Sequence, residues 1–240
     1  LYIFIRYSNI RNFSLSKCYD WYFFATFQRT PNFAKLNLNS FMDVILSVFA
    51  LIVLSPVMLI VAIIIKLTSP GPVIFVQKRV GKDGKVYDMY KFRSMCVGAE
   101  QQEGGVFCTK GDARVTPIGK FIRATSIDEL PQIINILKGD MSIVGPRPER
   151  IEHVEKYSAE IPEFVCRYKV KGGLTGYAQV YGKYNTSAYN KLKMDLIYIQ
   201  NYSLAMDFKL ILLMEIFICP ISLSIIILPT CLSATWFWYR

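Results

Sequence analysis

The chain has 240 residues, of which 52% are apolar, and its formal net charge is +10. This apolar content argues against a purely soluble protein and allows one catalytic domain with membrane-associated segments. Nucleic acid is one partner that fits the charge. Basic residues beside apolar segments more often face anionic lipid, and apolar runs have no role in a nucleic-acid binder. We therefore expect a membrane partner and no nucleic acid.

The first strong element is the apolar run 41–65, interrupted by Asp43 near its start. A straight helix over these residues would be about 37 Å long, enough for a hydrocarbon core of about 30 Å. Ser55-Pro56 at its middle predicts a bend, and Ser55 could serve a carbonyl that the proline leaves without a donor. The residues leave a spanning helix and a re-entrant helix equally open. Lysines and arginines on both sides suit two cytoplasmic ends.

A β-hairpin is predicted next. The runs 73–80 and 85–92 are β-prone and are joined by the turn 81–84. Lys91 and Arg93, at the end of the second arm, are expected to share one strand face. That face either is simply solvated or binds an anion.

Two short helices follow. Ile118, Phe121 and Ile122 have helical spacing within 114–123, with Arg123 at the end; this indicates a helix at the membrane surface or an ordinary core-facing helix. The second helix has the predicted apolar face Ile127, Leu130, Ile133, Ile134 and Leu137.

The start of the second helix contains two adjacent carboxylates. Pro131 fits the first turn of a helix because it lacks an N–H, which predicts Asp128 at or near the N-cap and Glu129 just inside. A capping role alone would explain Asp128. The two side chains diverge by about 100° around a helix, so they are not a pair that shares one proton.

Arg147 lies between Pro146 and Pro148, which restrict the backbone on both sides. A rigidly held guanidinium suits bidentate phosphate recognition, although a rigid loop with an exposed arginine explains the pattern equally well. Residues 171–176 predict a turn-rich loop, and 189–202 a helix. The apolar stretch 210–238, interrupted by Glu215 and two prolines, is an interfacial helix, a poor transmembrane span or non-native sequence.

From about Phe41 to Leu213 the chain resembles the bacterial sugar transferase family, the monotopic polyprenyl-phosphate phosphoglycosyl transferases. Any one of the motifs is weak, but their order along the chain is highly specific. The resemblance is carried by Ser55-Pro56, Ser69-Pro70-Gly71-Pro72, Gln77-Lys78-Arg79-Val80-Gly81, Tyr90-Lys91-Phe92-Arg93-Ser94-Met95, Asp112-Ala113-Arg114-Val115-Thr116, Ser126-Ile127-Asp128-Glu129-Leu130-Pro131-Gln132, Lys138-Gly139-Asp140-Met141-Ser142 and Gly145-Pro146-Arg147-Pro148.

The resemblance implies a helix-rich α+β fold with a re-entrant membrane helix, a short β-hairpin and amphipathic surface helices. It also implies four parts: an unmatched stretch 1–40, the re-entrant helix 41–66, the catalytic domain 67–213 and an atypical hydrophobic segment 214–240. The protein would lie in the bacterial inner membrane, with its catalytic domain on the cytoplasmic face and downstream glycosyltransferases as further partners.

The implied reaction moves a sugar-1-phosphate from a UDP-sugar to polyprenyl phosphate through a phosphosugar-aspartyl intermediate and releases UMP. The residues that the resemblance singles out are Asp128 as nucleophile, Glu129 as its catalytic neighbour, both as ligands of Mg²⁺, and Arg123, Arg147, Lys91 and Arg93 as phosphate ligands.

Two departures from the family pattern concern nucleotide or sugar preference. Lys171-Gly172-Gly173-Leu174 stands where the family commonly has Lys-Pro-Gly-Ile, and Tyr177 where it has tryptophan. The alternatives are a lipid-directed glycosyltransferase that releases UDP and a membrane scaffold without enzymatic activity. A scaffold would have no use for the conjunction of Asp128-Glu129 with Arg123 and Arg147.

Overall fold

A computed structural model of the chain describes residues 33–99, 112–182 and 186–218. The expectations for the N-terminal stretch before residue 33 and for the C-terminal segment after residue 218 lie outside the described residues. Within these ranges helices dominate and two short two-stranded sheets accompany them, so the predicted helix-rich α+β class is confirmed. The helices are α1 (Phe33–Thr68), α2 (Pro117–Ala124), α3 (Gln132–Lys138), α4 (Ile151–Glu160), α5 (Tyr177–Tyr181), α6 (Ala188–Gln200) and α7 (Leu204–Ile218), and the strands are β1 (Ile74–Val80), β2 (Val86–Phe92), β3 (Met141–Val144) and β4 (Gly172–Thr175).

Helix α1 contains the whole apolar run 41–65. Within the described part of the chain, its portion Ser40–Thr68 is the one helix that is long and apolar enough to cross a membrane, judged by length and composition. Only 11% of its most apolar stretch is buried against the protein. Since apolar surface of this extent is unfavourable in water, α1 is suited to contact lipid.

The proline inside α1 leaves one backbone carbonyl without its helical donor. Pro56 has no N–H, so the carbonyl of Ile52, four residues earlier, cannot receive the usual hydrogen bond. The Ser55 hydroxyl donates to that carbonyl at 2.9 Å. The expectation that Ser55 would serve the freed carbonyl is therefore confirmed. This local bond matters in lipid, where water is not available to replace a missing donor.

Strands β1 and β2 form the predicted hairpin. They pair antiparallel in a register that sets Val80 opposite Val86 and Ile74 opposite Phe92. The connection is a short 3₁₀ turn, Lys82–Gly84, in which Asp83 has a positive φ of 56°. Asp is one of the residues that tolerate this conformation, because its short polar side chain can bond the local backbone.

A buried asparagine joins the hairpin to α3. The Asn135 side chain accepts from the Tyr90 N–H at 3.0 Å and donates to the Asp88 carbonyl at 2.7 Å. The predicted apolar face of α3 is wrong in part, because Ile134 is exposed while Asn135 is fully buried. The backbone groups at the edge of β2 need hydrogen-bond partners, and Asn135 supplies them. The spacing of apolar residues, on which the prediction is based, gives no information about this need.

Helix α2 lies on the core. Ile122 is fully buried against Val61 and Ile65 of α1 and Phe92 of β2, so the core-facing alternative is correct for this residue. Phe121, by contrast, is 58% exposed. The Thr116 hydroxyl accepts from the Gly119 N–H and caps the helix start.

Strands β3 and β4 pair in parallel, so the loop predicted at 171–176 is instead largely a strand. A parallel pair needs a long crossover, and α4 with the 3₁₀ helix Pro162–Lys169 supplies it. The glycines of β4 have a steric reason, since a Cβ added at Gly173 would overlap the backbone of Gly145. Glycine here permits close approach of two backbones rather than a turn.

Helix α1 is attached to β3 near its own start. Asp43 is buried, and its carboxylate accepts from the Ile143 N–H at 3.1 Å. Strand β3 leads directly into the segment Gly145-Pro146-Arg147-Pro148. One partly buried hydrogen bond therefore connects the lipid-suited helix to the strand that leads to Arg147.

We expect Asp43→Leu to destabilise the protein by about 1–3 kcal/mol, because it leaves the partly buried Ile143 N–H without this acceptor. Asp43→Asn keeps an oxygen acceptor and serves as the matched control. Chemical denaturation of both variants in detergent gives the two free energies of unfolding. Equal stability of the Leu and Asn variants would show that the bond to Ile143 is unimportant.

Candidate active site

Asp128 and Glu129 lie in the 3₁₀ turn Ile127–Glu129, between α2 and α3. The prediction that Asp128 caps the following helix is wrong, since α3 begins at Gln132 with Pro131 in the N-cap position. Ser126, the residue before the turn, has a φ of 57°, and Leu130 and Pro131, both of helical conformation, connect the turn to α3. Asp128 is thus inside a tight turn, where its carboxylate is not needed to cap a helix.

The Glu129 carboxylate is held by two cations. One oxygen, Oε1, accepts from Lys91 Nζ at 2.7 Å and from Arg147 Nη2 at 2.9 Å. The side chains of Glu129 and Lys91 are 21% and 15% exposed, whereas that of Arg147 is 45% exposed. The structure thus brings together three of the predicted residues, and the most exposed of them is the guanidinium.

Charge pairing decides the ionisation of this cluster. Burial by itself would raise the pKa of Glu129, but the Arg147 guanidinium and the Lys91 ammonium outweigh it and hold that pKa well below its usual range. Burial lowers the pKa of Lys91, and the Glu129 carboxylate opposes the decrease. Glu129 is therefore ionised at neutral pH.

Two further predicted site residues, Arg123 and Asp128, precede Glu129 in the chain. Asp128 is half-buried, and its charge acts on both Lys91 and Arg147. Arg123 is half-buried in the last turn of α2, shortly before the 3₁₀ turn. A carboxylate such as that of Asp128 is repelled by an anionic phosphate. Two nearby cations offset this repulsion, so the carboxylate can approach the phosphorus more easily than it could without them.

Arg93 lies in different surroundings from Lys91. Its guanidinium is buried and donates to the carbonyls of Ser69 and Pro70 at 2.7 and 2.8 Å, in the connection after α1. The strand ends at Phe92, so the alternation that predicted a shared face does not extend to Arg93. The structure therefore does not bring Arg93 to Glu129.

Two arginines that the sequence did not identify as site residues contact the Arg147 loop. Arg167 donates to the carbonyl of Arg147 at 2.9 Å, and Arg79 donates to the carbonyl of Pro148 at 3.1 Å. Arg79 belongs to one of the family motifs, which was a usable signal. Arg167 has no comparable signal, because only the crossover after β3 brings it back to the loop.

The described residues contain no group of three or more His, Cys, Asp or Glu side chains arranged to hold a metal ion. Asp128 and Glu129 are adjacent carboxylates at this cluster. Mg²⁺ usually keeps several waters and binds one or two carboxylates together with substrate phosphates. The donor set fits a metal that arrives with a diphosphate better than a metal enclosed by protein alone.

The fold and this cluster define an α+β domain with a lipid-suited helix and a carboxylate turn surrounded by cations. The sequence model of the bacterial sugar transferase family matches residues 34–219, and the chain belongs to that family. The matched range is somewhat wider at both ends than the 41–213 indicated by the motifs.

Three relatives show the extent of the similarity. The UDP-N-acetylgalactosamine-undecaprenyl-phosphate N-acetylgalactosaminephosphotransferase of Aeromonas hydrophila is 48% identical over 169 residues, which cover 69% of this chain and 40% of the relative. The UDP-glucose:undecaprenyl-phosphate glucose-1-phosphate transferase of Escherichia coli K12 is 46% identical over 176 residues, 71% of this chain and 38% of the relative. The exopolysaccharide production protein PSS of Rhizobium leguminosarum is 41% identical over 184 residues, 73% of this chain and 92% of the relative. The chain thus spans less than half the length of the first two.

The depressed pKa of Glu129 predicts a specific pH dependence of stability. As pH falls, the unfolded chain binds this proton first, at its ordinary pKa of about 4.3, so the stability due to the native carboxylate begins to decrease below about pH 5 and continues to decrease toward the depressed native pKa. Glu129→Gln lacks this contribution at every pH. The difference in free energy of unfolding between parent and variant should be constant from about pH 7 to about pH 5 and then shrink steadily as the pH falls from about 5 to about 3. Denaturation curves across this range test it, and a constant difference would contradict it.

Proposed function

We propose that the protein transfers a sugar-1-phosphate from a UDP-sugar to undecaprenyl phosphate and releases UMP. The observation that carries the proposal is the Glu129 carboxylate held between Lys91 and Arg147, with Asp128 beside it in the same turn. The names of two relatives refer to UDP-sugars and undecaprenyl phosphate, and that of a third to exopolysaccharide production. The product would begin the synthesis of a surface glycan.

The proposed reaction has two displacements at one phosphorus. A carboxylate oxygen of Asp128 forms a bond to the sugar-bearing phosphorus, and the bond from that phosphorus to the oxygen of UMP breaks. An oxygen of undecaprenyl phosphate then bonds to the same phosphorus, and the acyl-phosphate bond to Asp128 breaks. The electron pairs go to UMP in the first step and to Asp128 in the second, so the enzyme is regenerated.

Arg147 is suited to grip the transferring phosphate. Its guanidinium makes one described ion pair, to Glu129, and nearly half of its side chain is accessible. A guanidinium can donate in parallel to two phosphate oxygens. Lys91 is less exposed and holds Glu129, so we assign it to keeping the carboxylate ionised and in place. Arg123, half-buried in the last turn of α2, remains a proposed further phosphate ligand.

We assign the proposed Mg²⁺ chiefly to Asp128 and the substrate diphosphate, with Glu129 as a second carboxylate. Oε1 of Glu129 already accepts from two cations, which weakens its claim as the principal ligand. When bound, the ion would offset negative charge on the phosphates. Lys91 and Arg147 act in the same direction from the protein side.

We propose that α1 enters and leaves the membrane on the cytoplasmic face of the inner membrane, with its turning point at Ser55-Pro56. The exposed apolar surface of α1 supports membrane contact, and the bond from Ser55 to the Ile52 carbonyl supports a tolerated proline at this depth. The lipid phosphate lies at the membrane surface, while UDP-sugars are cytosolic. A domain on that face can reach both substrates and can pass its product to downstream glycosyltransferases.

Asp128→Asn should abolish UMP release while the protein remains folded. The amide is similar in size to the carboxylate but is not a nucleophile toward phosphorus. The assay measures UMP from membranes supplied with undecaprenyl phosphate and a panel of UDP-sugars, and thermal unfolding checks the fold. Asp88→Asn is the matched control, because Asp88 pairs with Lys78 on the exposed side of the hairpin. Near-normal UMP release by Asp128→Asn would refute the nucleophile, and release of UDP instead would refute phosphosugar transfer.

The topology of α1 is tested by labelling a cysteine introduced at Ser40, after replacement of the native cysteines. In the parent protein this cysteine should stay inaccessible to a membrane-impermeant reagent added to intact cells. Pro56→Ala restores the missing backbone donor and removes the ring clash, so a straighter helix should invert the N-terminus in some molecules and expose the label site. Labelling of the parent from outside would show that the re-entrant path is wrong.

A further inference from the structure

The loop that carries Arg147 is held through its carbonyl groups. Four consecutive carbonyl oxygens each accept a hydrogen bond from another part of the chain. The donors are the Gly173 N–H to Pro146 at 3.0 Å, Arg167 Nη2 to Arg147 at 2.9 Å, Arg79 Nη1 to Pro148 at 3.1 Å and the Val80 N–H to Glu149 at 3.1 Å.

The carbonyls matter because this loop is poor in donors. Pro146 and Pro148 have no N–H, so the backbone on either side of Arg147 can be anchored only through oxygen atoms. The two outer carbonyls of the set are bonded by backbone N–H groups of β4 and β1. The two central ones, of Arg147 and Pro148, depend on the side chains of Arg167 and Arg79. These two side chains therefore determine how firmly the backbone of Arg147 is held.

Arg167 is itself fixed on several sides. It is 4% exposed, and its Nη2 lies 2.7 Å from the Asp195 carboxylate of α6. Its Nη1 lies 3.6 Å from the Glu149 carboxylate, and the ring of Phe164 lies 4.8 Å from its Cζ. A buried guanidinium with these partners has little rotamer freedom. It holds the Arg147 carbonyl at a defined place relative to α6.

Arg79 is held in a different way. Its Nε donates to the side-chain oxygen of Gln77 at 3.1 Å, so it is fixed within β1. Burial and the nearby Arg147 guanidinium lower the pKa of Arg79 to about 10, which leaves it protonated at neutral pH. Arg79 and Arg167 come from different elements, one from the hairpin and the other from the crossover.

We propose that Arg167 and Arg79 are positioning residues for the transfer reaction. They hold the backbone of Arg147 so that its guanidinium meets the transferring phosphate in one geometry, and they do not contact the substrate. This inference rests on the proposed function of Arg147 as a phosphate ligand. Small displacements of a group that binds the reacting centre reduce turnover strongly, even when the displaced group keeps its charge.

The test is a double-mutant cycle on UMP release. Arg167→Lys keeps a cation between Asp195 and Glu149 but loses the fork that also reaches the Arg147 carbonyl. Alone it should lower kcat about tenfold and leave KM for the UDP-sugar within about twofold. In an Arg147→Lys background the same change should cost less than about twofold, because the group it positions is already altered. Arg79→Lys should behave in the same way.

The double-mutant cycle needs a control for nonspecific effects of substitution and a check that each variant folds. Lys78→Gln, on the exposed side of β1, should leave kcat unchanged, and thermal unfolding checks every variant. If kcat decreases by the same factor in both backgrounds, or if neither arginine variant lowers kcat, the positioning role is overturned. The proposed function still stands in that case, provided that the parent protein releases UMP. If Arg167→Lys does not fold, the Arg79→Lys cycle decides alone. A parent protein that releases no UMP would overturn both proposals.

Discussion

The arrangement of the site depends on one shared carboxylate oxygen. Glu129 Oε1 accepts from Lys91 of the hairpin and from Arg147 of the loop after β3, so three segments distant in sequence converge on one atom. The two cations repel each other, but the carboxylate between them offsets this repulsion, and the half-buried carboxylate would be less stable as an anion without them. The carboxylate therefore stabilises each cation in its place, and the two cations together stabilise the carboxylate.

Rigidity around this oxygen comes from backbone groups as much as from side chains. The Asn135 side chain bonds the backbone edge of β2 and so fixes the position of this strand, which carries Lys91, relative to α3. On the other side, Gly173 lets β4 approach Gly145 closely, and its N–H bonds the Pro146 carbonyl. A cation placed on a well-anchored backbone needs little reorganisation when a phosphate arrives, which is the physical basis of preorganised electrostatic catalysis.

The lipid-suited helix is part of the same structure. Asp43 of α1 bonds the backbone of Ile143, and Val61 and Ile65 of α1 pack with Phe92 at the end of β2. Both elements that supply cations to Glu129 therefore contact α1.

The sequence by itself determined the local elements of this protein. The apolar run of α1, the hairpin and the proline-flanked Arg147 follow from hydrophobic period, turn residues and backbone restriction, which act over a few neighbours. Local patterns also indicated the acidic pair as a candidate, and the ordered motifs indicated the family.

Only the tertiary structure decided which charged groups meet. It paired Lys91 with Glu129, directed Arg93 to the carbonyls after α1, made a strand of the glycine-rich 172–175 and recruited Arg167 to the loop. Each of these outcomes depends on segments that are far apart in the chain. Either a group in one segment needs a hydrogen-bond partner in the other, or the two backbones must approach closely. Hydrogen-bond satisfaction and steric fit across such distances leave no periodic signal in the sequence.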